Sequence, residues 1–121
     1  MSYPVATEDL ATAFQEYAEG YLLTVSPDAS PRAVAVRPVF RDGGVVVGAG
    51  QSSSANIAVH PIVTLLCPPV TEKGFTLLVD GIASVTGEEI RIAVTSAVLH
   101  RPPYHADGPP PPGYAGGKAA C

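Results

Sequence analysis

Few side chains in this sequence can do chemistry, and Arg32 and Arg37 stand out by position. They bracket an otherwise apolar segment, RAVAVR, and are two of the five basic residues that precede position 101. A guanidinium presents a planar fork of donors that suits phosphate oxygens or the carbonyl edge of a flat heterocycle. On a regular strand, residues five apart point to opposite faces, so both reach one ligand only if the strand bulges or two subunits contribute. The plainer reading of each is a rim arginine paired with an acid.

The second feature is the stretch Gly48-Ala49-Gly50-Gln51-Ser52-Ser53-Ser54-Ala55-Asn56. Glycines let a ligand approach the backbone, hydroxyls donate to phosphate oxygens, and the free amides of a helix start favour an anion. Serines before a helix are also ordinary caps, so the loop alone supports a cap as well as a phosphate cradle. Other constellations are weaker. His60, His100 and His105 lack tight metal-ligand spacing, so no metal site is expected. No serine sits in a nucleophile elbow, and Asp80 before Gly81 reads as a turn or bulge residue. Cys67 and Cys121 are too few for a disulfide framework, and Cys67 in its apolar run reads as a small buried thiol.

Short elements must position these residues. Thr7 to Glu19 spaces Leu10, Phe14 and Tyr17 as one face of a helix, with Thr7 as N-cap and Gly20 as its end. Tyr21–Val25, a Ser-Pro-Asp turn and Arg32–Phe40 read as a hairpin. The second strand is apolar on both faces, with Ala33 and Ala35 on one and Val34 and Val36 on the other. Such a strand belongs inside a barrel or between subunits, and its alanine face leaves room for something flat. Pro38 removes a ladder donor and marks an edge or bulge. Arg41-Asp42-Gly43-Gly44 turns the chain into Val45–Val47. A short helix closed at His60 by Pro61 follows. Then come three strands, Ile62–Cys67, Phe75–Val85 with a bulge at Asp80-Gly81, and Ile90–Leu99. The expectation is a mainly β fold, a six-stranded antiparallel barrel with short helices.

Composition bounds the partners. The chain has 121 residues, allowing one domain. Only 15% of residues are charged, and the net charge of −4 offers no basic excess for nucleic acid. No apolar run approaches the ~20 residues that cross a bilayer, and the first ten residues carry acids, so a cytoplasmic protein without membrane contact is expected. Positions 101–121 hold six of the 13 prolines and four of the 12 glycines. The division is therefore a barrel domain over 1–101 and a flexible Pro/Gly-rich tail over 102–121. The remaining ~100 residues are short of core for an isolated domain, and a partner subunit would help.

These elements and residues resemble the pyridoxamine 5′-phosphate oxidase-like split-barrel family. The resemblance spans about Leu10 to Arg101 and rests on PRAVAVRPVF after a hairpin, GGVVVGAG before a polar loop, SANIAVHPIVTLLC, and the long strand from Phe75 to Val85. It implies a homodimer holding FMN or the related deazaflavin coenzyme between subunits, and an oxidoreductase acting on an unidentified small molecule. By this resemblance the cofactor contacts Arg32, Ala33, Val34, Val36 and Arg37 on one strand. Gly48, Gly50, Gln51, Ser52, Ser53, Ser54 and Asn56 contribute around the helix start. The family carries a basic pair for the phosphate where this chain reads Gln51-Ser52-Ser53. Neutral donors make hydrogen bonds about half as strong as charge-assisted ones. The departure motivates a second reading, a non-enzymatic small-ligand-binding or cofactor-less split barrel. No catalytic residue is assigned.

Overall fold

A computed structural model describes residues 1–113 of the chain. Strands dominate: β1 (Ser2–Pro4), β2 (Gly20–Val25), β3 (Pro31–Val36), β4 (Val39–Arg41), β5 (Gly44–Gly48), β6 (Ile62–Cys67), β7 (Thr76–Thr86) and β8 (Glu89–His100). Two α-helices, α1 (Leu10–Glu16) and α2 (Gln51–Val59), complete the set with short 3-10 turns at Thr7–Asp9 and Pro103–His105. All six anticipated strands are present. The count rises to eight because Pro38 splits the Arg32–Phe40 run into β3 and β4, and because Ser2–Pro4 pairs with β8 through Ser2↔His100 and Tyr3↔Leu99. The first helix is shorter than its apolar spacing implied. Thr7 begins a 3-10 turn instead of capping through its side chain, and α1 stops at Tyr17, whose φ of −91° and ψ of 83° leave the helical region. Gly20 starts β2. A Cβ there would lie 2.7 Å from the Leu66 carbonyl oxygen, so close strand approach, not helix capping, requires this glycine.

The strands form an antiparallel sheet in the order β3-β2-β6-β7-β8-β5-β4. Its two edges, β3 and β4, are joined by Arg37 and Pro38 alone. Three peptide steps span about 11 Å at most, so the edges of a seven-strand path must meet at one corner. The sheet therefore curls into a barrel, yet no ladder joins β3 to β4 and the barrel stays split. α1 packs against β4, with Phe14 stacked on Phe40 at 6.4 Å between ring centres. The Asp42-Gly43 turn takes φ of 53° and 77°, the left-handed pair that a two-residue hairpin demands. The bulge expected at Asp80-Gly81 is present as a register shift.

Alternation sorts the residues. Leu22, Val63, Leu65, Leu77, Val79, Ile90, Ile92 and Leu99 fill the barrel with Leu10 and Phe14 of α1 and Tyr17 just after it. The opposite face of β3, β2, β6, β7 and β8 is also largely apolar. Register aligns Tyr21, Leu66, Leu78 and Val98 in one row, Leu23, Thr64, Asp80 and Ser96 in the next, and Ile62, Ile82 and Ala93 in a third. Nothing in the described chain covers Tyr21, Ile62 or Ile82, which are 45%, 72% and 52% exposed.

The chain after β8 returns to the barrel. Arg101 is buried, sits 4.1 Å over the Phe75 ring, and donates from Nη1 to the carbonyl oxygens of Pro109 (2.6 Å) and Lys73 (3.3 Å). Lys73 pairs with Asp107 at 2.7 Å. Gly108 leaves no room for a side chain, since a Cβ would lie 2.3 Å from the Lys73 carbonyl oxygen. Positions 114–121, including Cys121, lie outside the described residues.

Candidate functional site

β3 positions the two arginines, and it separates them. It pairs with β2 through Arg32↔Thr24, Ala33↔Leu23, Val34↔Leu22, Ala35↔Tyr21 and Val36↔Gly20. From Arg32 to Arg37 is five residues, about 16 Å of extended chain. As the edge strand, β3 is exposed from Pro31 to Ala35 and half-buried at Val36, so within one chain neither face is covered. The Ala33 and Ala35 face continues the apolar outer rows, while Arg32, Val34 and Val36 share the side of Leu22 and Thr24.

The Arg32 end is linked to α2. Thr24, paired with Arg32, accepts a hydrogen bond from Nδ2 of Asn56 at 3.0 Å, both side chains being buried, which ties α2 to β2. Arg32 is exposed, and among the described residues its only side-chain hydrogen bond runs from Nη1 to the carbonyl oxygen of Pro31 at 3.0 Å. No acid there forms a salt bridge with it, although its charge adds to the Ser26 and Ser30 hydrogen bonds that hold the Asp28 carboxyl below the usual range. Gly50 caps α2 in extended geometry and, having no side chain, offers no side-chain acceptor to the first amides of the helix. The serines are not a cap: all three lie within α2. Their roles differ by burial, with Ser52 exposed, Ser54 half-buried and Ser53 only 4% exposed. Gln51 is exposed. At Gly48 and Gly50 an added Cβ would meet nothing within 4 Å. Packing within the chain does not require these glycines, and open space lies in front of both. Asn56 is committed to Thr24 and acts as a positioning group.

The Arg37 end is a different environment. Arg37 reaches Glu19 at 3.6 Å across solvent, with both side chains largely exposed. Together with Gly20, Tyr21, Ala35, Val36 and Pro68 they line an open cleft of about 440 Å³. A second cleft of about 480 Å³ continues past Glu19, Arg37 and Pro68 to Glu16 and Val70. Glu19, Tyr21 and Pro68 were not legible as site residues, because they become neighbours of Arg37 only through the β2–β3 pairing and the connection after β6. The structure thus ties α2, through Asn56, to the β2 residue that pairs with Arg32, and leaves Arg37 at the other end of β3. Among the described residues no group of three or more His, Cys, Asp or Glu could hold a metal ion.

Comparison with known proteins places this architecture in a class. No family model matches the chain. Solved structures do: a conserved hypothetical protein of Mycobacterium tuberculosis (TM-score 0.68, 14% identity, 86% of this chain and 88% of that one) and a putative pyridoxamine 5′-phosphate oxidase of Listeria innocua (TM-score 0.64, 15% identity, 77% and 96%). An FAD-binding protein of Mycobacterium smegmatis is similar too (TM-score 0.62, 11% identity, 81% and 97%). The chain has the split-barrel fold of the pyridoxamine 5′-phosphate oxidase-like proteins. In sequence the chain is 36% identical over 113 residues to two curated proteins described only as uncharacterized, from Mycobacterium bovis and Mycobacterium tuberculosis, and it belongs to one family with them. Each match covers 84% of this chain and 80% of the relative.

Proposed function

We propose that this chain binds a flavin-type cofactor, FMN or a deazaflavin coenzyme, as a cytoplasmic homodimeric oxidoreductase acting on a small molecule. The observation that supports this reading is the open space before Gly48 and Gly50 at the approach to the exposed start of α2, a helix whose Asn56 is tied to Thr24, the strand partner of Arg32. A phosphate there would accept from the first amides of α2, from the Ser52 hydroxyl and from the exposed Arg32 guanidinium. The ring would lie against the open backbone edge of β3, past Ala33, Val34 and Val36 toward Arg37, where small side chains leave a flat, apolar seat. The bound cofactor supplies the hydride or electron transfer, and the protein supplies orientation and a seat of low polarity. Arg37 serves the far edge of the ring, its guanidinium held near the cleft by Glu19. The FAD-binding relative and the putative oxidase support a ligand of this class.

One observation favours a second reading, a non-enzymatic ligand-binding or cofactor-less barrel. Gln51, Ser52 and Ser53 bring no positive charge to the helix start, and buried Ser53 cannot offer its hydroxyl to a ligand. The absorption spectrum of freshly purified protein, followed by an FMN titration of Ser52→Arg, separates the two. A flavin or deazaflavin band, or tighter FMN binding by the variant, is the expected result. A colourless protein whose variant also fails to bind would favour the second reading.

A further inference from the structure

The clefts at the Arg37 end of β3 do not stop at Val70. A third, of about 180 Å³, shares Glu16 and Val70 with the second, as the second shares Glu19, Arg37 and Pro68 with the first. Its walls include Tyr17, Phe75 and three prolines of the chain returning after β8, Pro109, Pro110 and Pro112. One groove therefore runs from Arg37 to that returning segment. Proline has a fixed φ and no N–H, so these walls are stiff and ask no hydrogen bond of what lies on them. Arg101 holds the far wall together. It is 4% exposed, and no carboxylate among the described residues forms a salt bridge with it. A buried charge so placed is costly, and what it secures is the contact between two residues of the wall, with the guanidinium over Phe75 and Nη1 bonded to the Pro109 carbonyl oxygen.

The charges that face the groove do not balance. Arg37 meets Glu19, whereas Glu16 makes no ion pair or hydrogen bond with any described residue. Glu16 stands where the second and third clefts join, beside Val70, which is 50% exposed. We propose that this groove binds a mainly apolar molecule carrying one amine, with the ammonium at Glu16 and the apolar body along Val70 to the prolines of the returning segment. A site of mostly apolar walls with one charged group suits an amphipathic ligand of this kind, the charge fixing its orientation. The other half of the groove leads to Arg37, so a longer molecule would end beside the ring edge. Its role as a substrate therefore rests on the flavin reading, and its binding does not.

Fluorescence of N-phenyl-1-naphthylamine, a neutral apolar probe, with displacement by n-alkylamines from butyl to decyl, tests the assignment on the full chain. The probe should bind the wild type, and each added methylene should improve displacement about threefold to fourfold until the chain reaches the far wall and the gain stops. Val70→Asp should weaken the probe about fivefold or more, while Ile82→Asp on the outer sheet face should leave it unchanged. Glu16→Gln should weaken decylamine about fivefold and leave the neutral probe alone. Arg101→Met keeps an apolar stem and loses the carbonyl contact, so the gain should stop at a shorter chain. Circular dichroism checks that each variant is folded, and Val70→Asp and Glu16→Gln, at solvent-facing positions, carry the test if Arg101→Met is not. A wild type that leaves the probe dark would overturn the proposal, as would probe binding lost in Ile82→Asp and kept in Val70→Asp, or decanoate displacing as well as decylamine. FMN titration of the same protein is read separately: amine binding without FMN binding would strike the flavin reading and leave the groove standing.

Discussion

At the residue scale, one position separates what a basic pair at the helix start can do in this chain. Ser52 is exposed beside the α2 start, so Ser52→Arg adds a charge-assisted donor where a phosphate would sit and should tighten FMN binding about fivefold or more in a fluorescence titration. Ser53 is buried, and Ser53→Lys would force an ammonium out of the protein interior. That variant should lose about 1–3 kcal/mol of stability by urea denaturation. The sequence pattern could not distinguish the two serines, because burial inside a short helix depends on which turn faces β2 and β7. Cys67 behaves as its apolar run implied. Burial pushes its thiol up to about 12, against an ordinary value near 9. The unfolded chain therefore loses this proton first, and the stabilisation, whole below pH 9, declines as pH rises from 9 toward 12. Urea denaturation at pH 8 and pH 10.5 should show a larger alkaline loss for wild type than for Cys67→Ala.

At the element scale, local signals were legible and their tertiary consequences were not. Asp42-Gly43, the Asp80-Gly81 bulge and the Pro61 stop needed only backbone chemistry, and each lies where that chemistry placed it. β1 carried no such signal, since Ser-Tyr-Pro becomes a strand only because β8 offers Leu99 and His100 as partners. The pairing of Arg37 with Glu19 likewise depends on β2–β3 register, which no spacing within either strand reveals. Beyond β8, the proline content hid the anchoring of residues 102–113 by Arg101 and Lys73. Gly108→Ala places a Cβ against the Lys73 carbonyl and should release this segment. Hydrogen exchange is then expected to accelerate at Arg101, His105 and Ala106, with β6 and β7 amides as protected as in the wild type.

At the scale of the whole molecule, the fold class followed from alternation and turn chemistry, whereas packing within the described chain does not account for the two-sided apolar character of β3. β3 is an edge strand with no cover on either face. A partner subunit on the outer rows and a flat cofactor along β3 would together bury what one chain leaves exposed. The central claim is the cofactor, and calorimetric titration of FMN and of the deazaflavin coenzyme into wild type and Arg32→Ala tests it most directly. Saturable binding of one of them is predicted, weakened about tenfold by loss of the Arg32 guanidinium. Absence of binding by either up to about 1 mM, the range of the weakest specific complexes, or affinity indifferent to Arg32, would contradict the account.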